Sequence, residues 1–131
     1  MIYGIGVDIV QLDRITSALD KNTQRFPEKV LSELEFAEFV KANDKGNFLA
    51  KRFAAKEAFS KALGTAFTDG LTMPQITISH TDRGQPIITL ADRAKLMVEQ
   101  QNIRYSHLSL SDERDYVVAN VVLEGRVRHK I

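Results

Sequence analysis

Residues 47–64, NFLAKRFAAKEAFSKALG, constrain the fold more than any other stretch of the chain. Ala and Leu are strong helix formers, Lys, Arg and Glu fill the intervals, and Gly64 stands where a helix stop belongs. The stretch is therefore predicted to be one helix. Its charge is lopsided: between Asp44 and Asp69 the single acid is Glu57, set among Lys45, Lys51, Arg52, Lys56 and Lys61. At about 100° per residue, Glu57 and Lys61 share a face with Ala50, Phe53, Ala54 and Gly64. That face is small and apolar, so the carboxylate and the ammonium are expected against packed protein or a cleft. Two readings of the pair stand side by side. One is an ordinary (i, i+4) surface pair worth a few tenths of a kcal/mol. The other is a metal-binding carboxylate beside a phosphate-binding ammonium, which needs a second carboxylate from elsewhere.

The N-terminus supplies a candidate. Ile2–Val10 reads as a strand with Tyr3, Ile5, Val7 and Ile9 on one face and Gly4, Gly6 and Asp8 on the other. Glycines in a strand mark the close approach of another backbone or a ligand. Asp8 thus stands at the end of a strand on a face cleared of side chains. Its plainer reading is a helix cap, since Asp8 or Asp13 suits the start of the next helix.

Composition narrows the classes. At 131 residues one domain, spanning 1–131, is expected, and 44% apolar with 27% charged residues is ordinary for a globular chain. A net charge of +1 gives no argument for nucleic acid or a membrane surface, so partner preference rests on local patches. The chain has no Cys, which removes disulfides, thiolate metal sites and a Cys nucleophile. MIYGIGVDIV lacks a basic leader and a long apolar run, so a cytoplasmic location is expected.

Gln11–Asp20 reads as a short amphipathic helix on Leu12, Ile15 and Leu19, with Arg14, Lys21 and Arg25 on or just after it. A basic helix on a near-neutral chain suits an acidic protein partner, and it also fits an ordinary solvated face. Pro27 follows a break. Ser32 and Glu35 form a capping-box pattern for a helix that offers Leu34, Phe36, Phe39 and Val40 to the core, closed by Lys45-Gly46 and read as scaffold. Strands at 76–80 and 86–90 flank a turn, and His80 reads as a core histidine at the strand end. Residues 92–101 read as a helix. Strands 103–112 and 116–124 form a last hairpin, with Leu108 and Leu110 on one face and the polar row His107, Ser109, Ser111 on the other. That row is either the wet face of a sheet or one wall of a polar ligand site. The tail, with Arg126, Arg128, His129 and Lys130, is basic.

This order predicts an α+β fold: a small, mainly antiparallel sheet packed against one long helix plus shorter helices. Paired carboxylates with no His or Cys nearby suit Mg²⁺ rather than Zn²⁺. The Lys and Arg cluster on the same helix is what bound phosphates require.

Three segments carry a family resemblance: GIGVDIVQLDRI (4–15), RFAAKEAFSKALG (52–64) and HLSLSDERDYVVANVVLE (107–124). In order and spacing they resemble the signature segments of the holo-(acyl-carrier-protein) synthase family, the small bacterial type of 4′-phosphopantetheinyl transferase, and RGQP at 83–86 resembles its Gly-x-Pro hairpin. The resemblance implies transfer of the phosphopantetheine arm of coenzyme A to a serine of apo-acyl-carrier protein, releasing adenosine 3′,5′-bisphosphate, in support of fatty acid biosynthesis. It implies Asp8 and Glu57 as Mg²⁺ ligands and Lys61 as the contact to the reacting phosphates. Gly64, Gly84, Pro86, His107 and Ser109 would line the coenzyme A site, and Arg14 would meet the carrier protein. It also implies a homotrimer with active sites between subunits. One departure is Asp112, where the family commonly has His after Ser-x-Ser. Two other readings compete: a Mg²⁺-dependent phosphohydrolase acting on nucleotide pyrophosphates, which has no use for a basic first helix, and a non-catalytic module, which has no use for intact Asp8, Glu57 and Lys61.

Overall fold

The computed structural model describes residues 1–126, so Arg128, His129 and Lys130 of the basic tail lie outside the described residues. Strand β1 (Ile2–Gln11) runs into α1 (Leu12–Lys21), α2 (Arg25–Val30), α3 (Glu33–Phe39) and the long α4 (Lys45–Leu63). After a 3₁₀ turn at Met73–Gln75 come β2 (Ile76–His80), β3 (Pro86–Leu90), α5 (Asp92–Gln100), β4 (Ile103–Asp112) and β5 (Tyr116–Gly125). Among the described residues, β1, β5 and β4 form one antiparallel sheet in that spatial order, and β2 and β3 form a separate hairpin. The expected α+β architecture is the observed one. No helix among the described residues is long and apolar enough to cross a membrane.

Helix α4 lies across β1 and β5. Asp44 caps it by accepting a hydrogen bond from the Asn47 amide, and Gly64 ends it in the left-handed conformation at φ 84°. Leu49, Ala54, Ala55, Ala58 and Phe59 are fully buried, so the helix is enclosed on most of its circumference. Its alanines permit the close fit. A Cβ on Gly6 would lie 2.0 Å from the Ala58 carbonyl oxygen, and one on Gly4 equally close to that of Ala62. The backbone that the glycines of β1 make room for is therefore α4.

That close approach is the one the glycines predict, and it decides which face of β1 is covered. Its apolar row is the exposed one: Ile5, Val7 and Ile9 are 68%, 55% and 63% accessible. Gly6 and Val10 are buried on the other face, and Asp8 is half-buried beside them. The period-2 pattern sorts side chains onto two faces, and the helix takes the face without side-chain bulk.

Other boundaries shift for local reasons. Pro27 sits in the first turn of α2, where its missing amide is of no consequence, so it starts a helix rather than only breaking the chain. Lys45 and Gly46 belong to the first turn of α4; they do not close α3. The capping box of Ser32 and Glu35 is present as expected, but Leu34 and Val40 are exposed at 73% and 54%. Besides Phe39, and Phe36 packed against it, the side chain that α3 delivers to the core is Glu35. Its Oε1 receives the Lys56 ammonium at 2.6 Å and its Oε2 the Ile78 amide at 2.9 Å. His80 is exposed at the strand end and is not a core histidine.

Candidate active site

Asp8 and Glu57 meet where β1 crosses α4. Asp8 does not cap a helix, because α1 starts at Leu12 behind Gln11 with no side-chain cap bond. Its Oδ1 instead receives the Lys61 ammonium at 3.0 Å, and the same ammonium donates to the Val7 carbonyl at 3.0 Å. Glu57, one helical turn before Lys61, feels both partners. Its carboxyl is pushed above the usual range, first by burial, then by the negative charge of Asp8, while Lys61 pulls the other way. A half-buried carboxyl whose proton affinity is raised by burial and by a neighbouring carboxylate makes a site that favours added positive charge. Glu57 stands between two clefts. One, of about 520 Å³, has Asp8, Arg14, Ile15, Phe26 and Phe53 in its walls. The other, of about 590 Å³, is lined by Ser60, Lys61, Gly64, Thr65 and Phe67.

The donor set fits Mg²⁺. Asp8 and Glu57 offer hard oxygen ligands, and among the described residues no cluster of three His, Cys, Asp or Glu is placed to hold a metal ion. A cation with two protein carboxylates fills its shell with water and substrate oxygens, which is the usual habit of Mg²⁺.

The helix does not spread its cations along this cleft as the sequence suggests. Lys56, 0% exposed, points into the core and is spent on Glu35 and on the Val30 carbonyl at 2.5 Å. Arg52, 5% exposed, lies with its guanidinium 3.7 Å from the Phe48 ring centre. Its Nε has no hydrogen-bond partner among the described residues. Lys51 pairs with Asp112 at 3.7 Å, and Asn47 donates to the same carboxylate at 3.1 Å. Of the helix's basic residues, Lys61 is the one bonded to the acid pair. Lys51 and Arg52 form a second cluster nearer the helix start, with His80, whose imidazole is held below its usual pKa by burial and then by Arg52 and Lys51. Lys51 and Lys61 are separated by about 15 Å along the axis, at about 1.5 Å per residue.

The remaining sequence candidates divide. Gly64 borders the Lys61 cleft and Arg14 borders the Asp8 cleft. Gly84, in the left-handed turn at φ 87°, and Pro86, at the start of β3, belong to the separate hairpin. His107 and Ser109 lie on the outer face of the sheet. The register pairs His107 with Val122 and Ser109 with Asn120, which in turn oppose Ile5 and Val7 of the exposed row. His107 contacts Glu124 at 2.5 Å there. Asp8, paired with Ala119, points to the opposite side. Within one chain, therefore, Asp8, Glu57, Lys61 and Gly64 come together, and His107 and Ser109 do not join them.

A family model described as the 4′-phosphopantetheinyl transferase superfamily matches residues 4–121, from the glycines of β1 through most of β5. A holo-[acyl-carrier-protein] synthase of Aliivibrio salmonicida is 46% identical over 95% of this chain and 98% of its own length. The chain belongs to this family. Among solved members, the Neisseria meningitidis holo-[acyl-carrier-protein] synthase superposes with a TM-score of 0.91 at 44% identity, covering 95% of this chain and 99% of that one. The Bacillus anthracis member, solved in complex with CoA (3′,5′-ADP), gives 0.81 at 38% identity over 96% of this chain and 99% of that one. The family fold is thus present almost end to end, with the Asp8–Glu57–Lys61 cluster inside the matched region.

Proposed function

We propose that the protein transfers the 4′-phosphopantetheine group of coenzyme A to a serine of apo-acyl-carrier protein and releases adenosine 3′,5′-bisphosphate. The carrier so loaded serves fatty acid biosynthesis in the cytoplasm. The observation that carries this reading is the convergence of Asp8, Glu57 and Lys61, from two distant segments, where two clefts meet at Glu57 beside a basic helix.

Asp8 and Glu57 would hold Mg²⁺, which would supply the positive charge that a pyrophosphate needs when one of its bonds breaks. Lys61, bonded to Asp8 and lining the adjoining cleft that Glu57 shares, contacts the phosphate oxygens on which charge grows, and its flexible stem lets it follow them. The serine hydroxyl attacks the phosphorus that carries pantetheine and gives up its proton to solvent. The bond to the second phosphate breaks, and adenosine 3′,5′-bisphosphate leaves. Most of the protein's contribution is to hold the two ends in line.

Arg14 is the carrier-facing residue in this reading. It borders the Asp8 cleft, and Lys21, Arg25 and Lys29 edge a neighbouring groove that shares Ala18 and Phe26 with it. A row of cations over an apolar floor suits an acidic partner that also buries a nonpolar side chain.

The exposed face of the sheet supports assembly into a homotrimer. Ile5, Val7, Ile9 and Tyr116 are large, apolar and accessible on one continuous face, which is the mark of a contact surface. His107 and Ser109 share that face, so coenzyme A is completed by Gly84, Pro86, His107 and Ser109 of one copy and by Lys61 and Gly64 of the next.

The test is to mix the protein with Mg²⁺, coenzyme A and apo-carrier protein and follow the carrier by mass spectrometry. Gain of one phosphopantetheine on a serine is expected. Consumption of coenzyme A with an unmodified carrier would instead favour a phosphohydrolase.

A further inference from the structure

Lys61 has an unusual position for a residue whose task is to hold a substrate phosphate. Both of its hydrogen bonds go to β1, to Asp8 Oδ1 and the Val7 carbonyl, each at 3.0 Å. Asp8 is enclosed, with its side chain 15% exposed, whereas Lys61 is open at 54%. Asp8 therefore has little access to water, and the ammonium is its bonded counter-charge. No neighbouring cation of α4 substitutes for Lys61, because Lys56 is committed to Glu35 and Lys51 to Asp112.

A divalent cation shared by Asp8 and Glu57 meets this ammonium on the same carboxylate. The two positive charges repel at contact distance, and one of them must move. The lysine is the mobile one. Its exposed stem also borders the second cleft with Ser60, Gly64 and Thr65, so a change of rotamer carries the ammonium off Asp8 without disturbing the helix.

We propose that Lys61 is an internal competitor of the divalent cation: its ammonium holds Asp8 until the cation displaces it, and the freed ammonium then binds a phosphate of coenzyme A. Cation and coenzyme A binding are thereby coupled through one side chain, each favouring the other. The inference rests on the reading of Asp8 and Glu57 as the cation site. It adds that Lys61 weakens this site when no phosphate is present and strengthens it when one is.

The test uses the intact protein and Mn²⁺ as the probe, with free Mn²⁺ followed by electron paramagnetic resonance. Without coenzyme A, Lys61→Met is expected to bind Mn²⁺ about two- to fivefold more tightly than wild type, the worth of an ion pair open to solvent on one side. Coenzyme A is expected to tighten Mn²⁺ binding less in Lys61→Met than in wild type, and Lys61→Arg should retain wild-type Mn²⁺ affinity. Equal or weaker Mn²⁺ binding by Lys61→Met would overturn the proposal. Equal tightening by Lys61→Met and Lys61→Arg would also overturn it, because the charge would not be the agent. Asp8→Asn separates the two levels of the argument. It must lose Mn²⁺ affinity if the cation site is correct, and unchanged affinity would remove the site and the competition together.

Discussion

Replacing Lys56 by Met tests the buried pair on which the long helix is anchored. The Lys56 ammonium is 2.6 Å from Glu35 Oε1 and 2.5 Å from the Val30 carbonyl, and neither side chain of the pair is exposed. Burial pushes the lysine down to about 8, against the pull of Glu35, so desolvation and attraction are both large. Met keeps the stem length and leaves little void. What it removes is the charge, and Glu35 is left as a buried carboxylate. Losing one partner of such a pair costs about 3–5 kcal/mol. Glu35 keeps the Ser32 and Ile78 amides as donors and Arg52 at 4.0 Å, which places the cost near the low end, about 3 kcal/mol. Over 131 residues at about 2.1 cal/mol/K each, the unfolding entropy is about 275 cal/mol/K, and the melting temperature should fall by about 11 °C. Lys56→Met with Glu35→Gln removes both charges and should recover about half of the loss. Calorimetry at one fixed protein concentration gives the comparison, because self-association also moves the midpoint. A single variant melting within about 3 °C of wild type would refute the argument from an unpaired buried charge.

Three further outcomes follow from the site and its frame. Gly6→Ala places a Cβ 2.0 Å from the Ala58 carbonyl oxygen, so β1 must lift from α4 and carry Asp8 away from Glu57; a loss of at least about 1–3 kcal/mol in urea unfolding, with a larger proportional loss of transfer, is expected, and full activity would show that the close approach is not needed. Arg14→Glu should raise KM for the carrier about tenfold and leave KM for coenzyme A unchanged, with the wild-type rate falling as salt is added; equal effects on both substrates would place docking elsewhere. Val7→Lys puts a charge in the middle of the exposed apolar row and should give a folded monomer by sedimentation that has lost transfer, while an active monomer would mean that one chain completes the site alone.

Much of this was legible in the residues. Helix α4 and its Gly64 stop, the capping box at Ser32, and both hairpins follow from local propensity and turn chemistry, and the structure has them. The outer row of His107, Ser109 and Ser111 was equally legible, since alternation sorts faces without ambiguity. What alternation does not give is which face is covered. In β1 the apolar row is outside, because α4 needs the bare glycine face for backbone contact. The cation cluster misled for a related reason. Lysine is seldom fully buried, so nothing in the spacing of Lys56 marks it as internal, and its partner Glu35 already had a sufficient local role as a cap. Short α2 carries too few residues to show a period, and Pro27 reads first as a break. The approach of Asp8 to Glu57 depends on the crossing of two elements about fifty residues apart, which local spacing does not encode; the two glycines of β1 are its one local trace.

The central claim is that one divalent cation is gripped by both acids. The direct measurement is anomalous scattering from Mn²⁺ in crystals of the protein grown with coenzyme A. One Mn²⁺ peak is expected within bonding distance of both the Asp8 and Glu57 carboxylates and of the pyrophosphate, lost in Glu57→Gln crystals. A peak that touches only one of the two carboxylates, or persists unchanged in Glu57→Gln, would contradict it.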